Sequence, residues 1–437
     1  MISHVEAVPV GFKMTELGQL PEDWAVARLS SASILNRSSI EPVEYPDEVF
    51  EYYSIPAYQA GGKAILEKGR DILSLKYIVE NGTILFGKLN PRVPKVWTVQ
   101  STYPNRKITS TEFIPLIPKQ DKLDFRFLYY LSWSDYVMKR SQGLVSGSTP
   151  SRQRVDIESF MDITIPLPPL CEQRAIANVL SIIQRAIEAQ AKVIFAACEL
   201  KNSLMRYLFT YGPVPVNGID QIQLKETEIG LMPQNWRAMH LGEVVQGTQY
   251  GLSSLGKSSG RFPILRMNNL VNGKIIVNSL QYVDLDVSVF AKFRLNKGDV
   301  LFNRTNSYEL VGKTSLFDLQ GLYVFASYLI RLITESETLF SPFLNYYLNT
   351  TNGQINLKSL ATRAVSQSNI SASKLKTLIV PIPPLPDQRL IADILASIDN
   401  KLQIEENHKI SLQTLFNTML HLLMTGQLRV NDLKVDD

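Results

Sequence analysis

Residues 15–29 read TELGQLPEDWAVARL and residues 227–241 read TEIGLMPQNWRAMHL, with the Thr, Glu, Gly, Pro, Trp and closing Leu each returning 212 positions later. Two more matches keep the same order. GTILF (82–86) returns as GDVLF (298–302), and IPLPPLCEQR (165–174) returns as VPIPPLPDQR (380–389), at offsets of 216 and 215. Colinear matches at a nearly constant offset mean that one unit of about half the chain is written twice. The flanks of the two copies agree and their middles do not, as expected of two modules with one frame and different targets.

Each copy has the same order: an entry segment with a Trp, a mixed region, a proline-rich clip, and a long amphipathic stretch. Counted from Ile176, the first stretch places Ile176, Leu180, Ile183, Ile187, Gln190, Ile194, Ala197, Lys201, Leu204 and Leu208 at alternating steps of four and three. The second places Ile391, Leu395, Ile398, Leu402, Glu405, Lys409, Leu412, Phe416, Met419 and Leu423 on the same spacing. Such seams predict two long helices packed as an antiparallel coiled coil. Glu172, Gln173 and Arg174 open the first, and Gly212-Pro213 and Gly426 stop the two helices. Thirty-odd residues would span roughly 50 Å. The clips IPLPPL and VPIPPLP are expected to be stiff connectors between module and helix.

The middles mix strand and helix patterns, so the fold class is α+β. Strands are expected at 82–86 and 112–117, the latter at a sheet edge because of Pro115, and at 262–267, 300–303 and 328–333. One helix is expected over 124–139 and its counterpart over 342–349. The expected division is 1–170 for the N-terminal segment and first module and 171–212 for the first spacer helix. It continues with 213–385 for the second module, 386–426 for the second spacer helix, and 427–437 for a tail.

Net charge is +4 over 437 residues with a pI near 8.8, which permits nucleic-acid binding without demanding it. Local charge says more. Residues 81–110 hold Lys88, Arg92, Lys95, Arg106 and Lys107 and no acid, and residues 245–315 hold nine basic residues against four acidic. Arg and Lys interleaved with Asn, Ser and Tyr suit both phosphate contact and base-edge hydrogen bonding. Only two cysteines, Cys171 and Cys198, lie far apart on one expected helix, which fits a reducing compartment. No apolar run reaches a membrane span, and the opening MISHVEAVPVG lacks the basic and apolar parts of a signal peptide, so a cytoplasmic protein is expected.

At this point the residues resemble a known family. The strings YGLSSLGKSSGRFPILRMNNL (250–270), KGDVLFNRTNSYELVGKTSLF (297–317), ASYLIRL (326–332) and SQSNISASKLKTLIVPIPPLPDQRLIADIL (366–395) resemble the specificity subunits of Type I restriction-modification systems. GSTPSRQRVDIESFMDITIPLPPLCEQRAIANVL (147–180) extends the resemblance to the first copy. The resemblance implies two tandem target-recognition domains separated by two long conserved helices. Each domain would read one half of a split site in double-stranded DNA. The helices would dock two methyltransferase subunits, and restriction (translocase) subunits could join. The implied chemistry, adenine methylation with S-adenosylmethionine and restriction with ATP and Mg, belongs to those partners. The chain itself would be non-catalytic and bind no cofactor.

The resemblance nominates Asn303, Arg304, Thr305, Asn306 and Ser307 for DNA contact, with Arg266, Lys313 and Arg363 in support. The matching segment FGKLNPRVPK nominates Lys88, Asn90, Arg92 and Lys95. An Arg fork can read guanine and an Asn amide can read adenine.

Rival chemistries find little purchase. GLSSLGKS (251–258) has the form of a phosphate-binding loop, but SGRFP follows it where a helix should begin. There is no glycine-rich cofactor loop after a strand and no Asp/Asn-Pro-Pro-aromatic string. His4, His240, His408 and His421 do not fall at metal-ligand spacing with Cys or acids. The alternative from another class is a coiled-coil adaptor with two protein-binding modules, which explains the repeat but not the basic stretches.

Overall fold

A computed structural model of the protein describes residues 8–147, 149–334, 337–363 and 367–432. His4, Ser148, Ser366 and the 433–437 end of the tail lie outside the described residues. The chain divides into two compact units. One comprises Met1–Ala191 with His408–Asp437 and the other Lys192–Asn407, so each unit takes one half of each long helix.

In the first unit the TELGQLPEDW string makes a hairpin of Phe12–Thr15 and Gly18–Pro21. Thr15 Oγ1 donates to Gly18 O, and Gly18 takes a φ of +97° that a side chain would resist. The repeat makes the same turn in the second unit, where Thr227 Oγ1 donates to Gly230 O and Gly230 has a φ of +101°. Trp24 and Trp236 then turn inward and are fully buried, each against the glycine that ends a long helix. A Cβ on Gly426 would stand 2.4 Å from the Pro21 ring, and one on Gly212 would stand 3.4 Å from Trp236. The recurring Thr, Gly, Pro and Trp are therefore one device for seating a helix end.

Both units carry a four-stranded antiparallel sheet of the same order. In the first it runs Val96–Thr98, Ile84–Gly87, Phe113–Pro118, Ser33–Leu35, and in the second Thr314–Leu316, Val300–Asn303, Leu329–Thr334, Val245–Tyr250. Pro115 was expected at an edge, yet its strand is internal. The ladder with Ser33–Leu35 ends one residue short of it, at Leu116–Leu35, and beyond that end Pro115 O accepts from Asn36 N. A second sheet completes each unit, five-stranded in the first and three-stranded in the second, each with one parallel pair.

The expected helix over 124–139 is two helices, Phe125–Trp133 and Asp135–Gly143. Ser134 breaks them with an extended backbone and turns its hydroxyl onto Leu131 O. The counterpart expected over 342–349 is the helix Ser341–Leu348, and Thr350 sets it off from Thr351–Ser359 in the same way. The proline clips are not pure connectors. Thr164–Leu167 pairs with Ala25–Arg28, and Ile379–Ile382 with Arg237–His240, in two-stranded ladders whose free edges tolerate proline.

The long helices span Leu170–Tyr211 and Leu385–Met424, 42 and 40 residues, which at a rise of about 1.5 Å per residue is closer to 60 Å than to the expected length. All twenty seam positions are buried or half-buried. In the first unit Ile176, Ala177 and Leu180 share a core with Leu420, Leu423 and Met424. In the second, Met205 and Leu208 share one with Ile391 and Leu395. The start of each helix thus meets the end of the other, and the pair is antiparallel. Lys201 sits in the seam because its ammonium finds Asp399 at 2.6 Å, and the Tyr346 hydroxyl donates to the same carboxylate at 2.8 Å.

A buried glutamine anchors each helix start. Gln173 accepts from Asp124 N and donates to Lys122 O and Pro168 O, all within 2.9 Å. Gln388 accepts from Phe340 N and donates to Thr338 O and Pro383 O. The Gln of CEQR and PDQR is thereby explained: it ties the helix start to the clip and to the segment just ahead of Phe125–Trp133 in one unit and of Ser341–Leu348 in the other.

Candidate nucleic-acid interface

The FNRTNS segment leaves the second unit's sheet at Asn303 and runs along a small three-stranded sheet. There Thr305–Asn306 pairs with Ser368–Asn369, which pairs with Thr362–Arg363. Asn369 Nδ2 donates to Thr305 Oγ1 at 2.7 Å, fixing the rung, while Asn306 Nδ2 contacts Met267 Sδ at 3.5 Å. The loop of Arg266 is thereby brought against the same surface. Arg266 uses one guanidinium nitrogen on Ser279 O, and its backbone N–H on Asn269 Oδ1.

Aromatic rings hold the arginines. The Arg304 guanidinium lies over the Tyr250 ring, 4.8 Å from its centroid, and the Tyr250 hydroxyl is itself fixed by accepting from Ala372 N. Arg363 lies 3.8 Å over Tyr308, with Lys358 on the same ring at 5.9 Å. Among the described residues none of Arg266, Arg304, Lys313, Lys358, Arg363 or Lys374 has a carboxylate within ion-pair distance. A surface that gathers cations and leaves them unneutralised is suited to polyanions.

The first unit builds the same loop. Leu89 bridges Arg154 as Thr305 does Asn369, and Lys88 N donates to Glu112 O as Arg304 N does to Tyr328 O. Lys88 and Asn90 thus stand where Arg304 and Asn306 stand. Burial lowers the Lys88 ammonium from the ordinary lysine value; Glu112 opposes this, while Arg154 and Arg37 add to it. Arg154 is neutralised by a bidentate contact to Glu112 at 2.9 and 3.1 Å. Arg92 is exposed at the loop's tip and unpaired among the described residues.

Ten of the twelve nominated residues reach the surface, Arg92 and Arg363 exposed and the other eight half-buried. Asn303 and Lys95 are not. Asn303 is 0% exposed and donates its amide to Leu310 O at 3.4 Å, and Lys95 is 5% exposed. Both were nominated as contacts, and both instead lie under their loops, each with its side-chain nitrogen donating to loop carbonyls. Tyr250, Tyr308, Lys358 and Lys374 were missed. Tyr308 follows FNRTNS directly and was legible there, whereas Lys358 and Lys374 reach the surface only through tertiary folding.

The GLSSLGKS string is no phosphate cradle. A Cβ on Gly251 would stand 2.3 Å from Ala326 O, Leu252 N donates to Phe325 O, and a strand, Phe262–Leu265, follows. The ring of His240 sits 3.0 Å from Thr377 O in a helix cap. Cys171 and Cys198 are both free and exposed. Among the described residues no helix is long and apolar enough to cross a membrane.

Comparison with known proteins identifies the family and the fold. The model of the Type I restriction modification DNA specificity domain matches twice, at residues 21–194 and 233–414. The chain is 26% identical over 424 residues to the Type I restriction enzyme MjaVIII specificity subunit of Methanocaldococcus jannaschii, covering 95% of each chain. It is 23% identical over 389 residues to the EcoKI specificity subunit of Escherichia coli K12, covering 85% of this chain and 81% of that one. Its fold resembles the crystal structure of the Type I system S subunit from M. genitalium, with a TM-score of 0.55 at 18% identity over 92% of this chain and 96% of that one. A chain solved in a study of assembly and conformational transition of the type I R-M system gives 0.58 at 19% identity over 94% and 99%. Two matched copies of one domain over most of the sequence establish that the chain belongs to the Type I restriction-modification DNA specificity family.

Proposed function

We propose that this chain is the sequence-reading subunit of a Type I restriction-modification complex, each module reading one half of a split site in double-stranded DNA. One observation carries the reading: the same sheet-to-loop junction, ending in cations without carboxylate partners, is built twice in two copies of one module. In the second module Arg304, Thr305, Asn306 and Ser307 face the DNA, with Arg266, Lys313 and Arg363 on phosphates or bases. In the first, Lys88, Asn90 and Arg92 do so. Cations of this kind supply affinity by releasing counterions, and the Asn and Arg side chains supply the sequence preference.

The long helices dock two methyltransferase subunits, and restriction subunits join them. Exposed apolar side chains off the seam, among them Phe195, Leu200, Ile404 and Ile410, support a partner on the helices. The chain binds no cofactor and carries no catalysis. S-adenosylmethionine, ATP and Mg act in the partners, in the cytoplasm. An adaptor without DNA has no use for six unneutralised cations on one surface.

The test is DNA affinity of the complex with its methyltransferase subunits, measured against salt. Affinity should fall steeply, and removing one phosphate-contacting cation, as in R363A, should reduce the log–log slope by about 1. Affinity indifferent to salt would refute the reading.

A further inference from the structure

We propose that Lys95 is the brace that positions the first recognition loop rather than a DNA contact, and that the residue opposite it, Gly87 or its counterpart Asn303, decides which task the loop lysine performs. The inference rests on the DNA-reading assignment only for its functional consequence.

Lys95 and Lys313 occupy one structural position. Gly87 N donates to Lys95 O and Asn303 N to Lys313 O, each at 2.8 Å. On the next rung Val96 pairs with Phe86 and Thr314 with Phe302. The second loop is two residues longer, and the lysine returns at its end in both. Beyond that the two differ. The Lys95 side chain folds beneath its loop, and Nζ donates to Leu89 O at 3.1 Å and Val93 O at 2.8 Å. These carbonyls flank Arg92, the exposed tip. A buried ammonium needs such acceptors, and burial holds this one below the ordinary lysine value.

Gly87 makes that course possible. A Cβ at 87 would lie 2.8 Å from Lys95 Cβ and 3.2 Å from its Cδ, so no side chain fits there while Lys95 lies as it does. In the second module the side chain of Asn303 fills the position, and its amide donates to Leu310 O within the loop. The brace is thus supplied by the amide, and Lys313 is left only half-buried, with no hydrogen bond or ion pair from its side chain among the described residues. One buried polar group holds each loop: lysine where the opposite residue is glycine, asparagine where it is not.

The test needs no DNA. The full chain is labelled with an amine-acylating reagent, and peptide-level rates are read by mass spectrometry. Lys95 should react at least about tenfold more slowly than Lys313, because a buried amine reacts only through local opening. G87N should raise the Lys95 rate to that of Lys313, and N303G should slow Lys313. Equal rates in the unsubstituted chain, or no response to G87N, would overturn the proposal. A second arm measures DNA binding by the complex against salt. K313M should reduce the slope by about 1, whereas K95M should weaken binding at an unchanged slope and alter preference in one half-site. A slope loss in K95M equal to that in K313M would likewise overturn it. If neither variant nor the unsubstituted complex responds to salt, the DNA reading fails while the labelling still decides the brace.

Discussion

Replacing Gln173 by Ala removes a side chain whose exposure is 0% and which makes one acceptor and two donor hydrogen bonds, to Asp124 N, Lys122 O and Pro168 O. Each such bond contributes about 1 kcal/mol net, and stranding its buried partner costs more, about 1–3 kcal/mol. Water entering the space relieves part of this, so the expected loss is about 3 kcal/mol. For units of this size that is roughly 6–12 °C in melting temperature. Because the two units need not unfold together, the assay is thermal unfolding followed by amide exchange. Peptides around 122–128 and the start of the first helix should lose protection before the second unit does. Q388A should produce the mirror result around Phe340 and the second helix start. Q173E is a sharper probe, since its carboxylate would face two carbonyls. Its folded-state pKa would be raised, so its stability would be greatest at low pH and lost as pH rises through that value. If Q173A melts within 2 °C of the unsubstituted chain and exchange around Asp124 is unchanged, the clamp does not anchor the helix.

Three further outcomes are expected. R331M removes the cation 2.8 Å from Asp299 in a site where both side chains are buried, and should cost about 3–5 kcal/mol at neutral pH by denaturant unfolding. Burial already raises the Asp299 carboxyl, so this penalty should shrink as pH falls and the acid protonates. R429A breaks the contacts of Arg429 to Asp23 and Glu172. The hydrogen bond from Arg429, set against burial, holds the Asp23 carboxyl below 3.8. The stability difference from the unsubstituted chain should therefore be full at neutral pH and fade as pH drops below that value. K201M alone should destabilise the second unit by several kcal/mol by leaving Asp399 without its cation, whereas K201M with D399L should recover most of the loss, as paired apolar replacements of buried ion pairs do. Recovery that fails would mean the Tyr346 hydroxyl, also held by Asp399 and raised in pKa first by burial, carries the greater share.

Periodicity made the long helices legible. Twenty seam positions counted from the sequence all turned inward, the polar ones included, because a 3.5-residue repeat admits one geometry. The strand 300–303 was legible for a similar reason, a short apolar run bounded by a turn. Two kinds of feature were hidden. Ser134 splits the helix expected over 124–139 through a hydroxyl contact to a preceding carbonyl, which no hydrophobic pattern reports. Pro115 escaped its expected edge because it sits just past the end of a neighbouring strand's ladder, and the length of that strand is set elsewhere in the chain. Site residues divided on the same line. The motif strings located the loops, but burial within them depended on a cross-strand partner. Lys95 and Lys313 read alike in sequence and differ because Gly87 and Asn303 stand opposite them.

The most direct measurement is a methylome. The chain is expressed with its methyltransferase subunit in an unmethylated host, and modified bases are mapped across the genome. The expected result is a two-part motif with a fixed unspecified gap, lost when this chain is omitted, with R304A relaxing one half and R92A the other. A stable complex that leaves no motif, or a motif in which both substitutions disturb the same half, would contradict the assignment of one reading surface to each module.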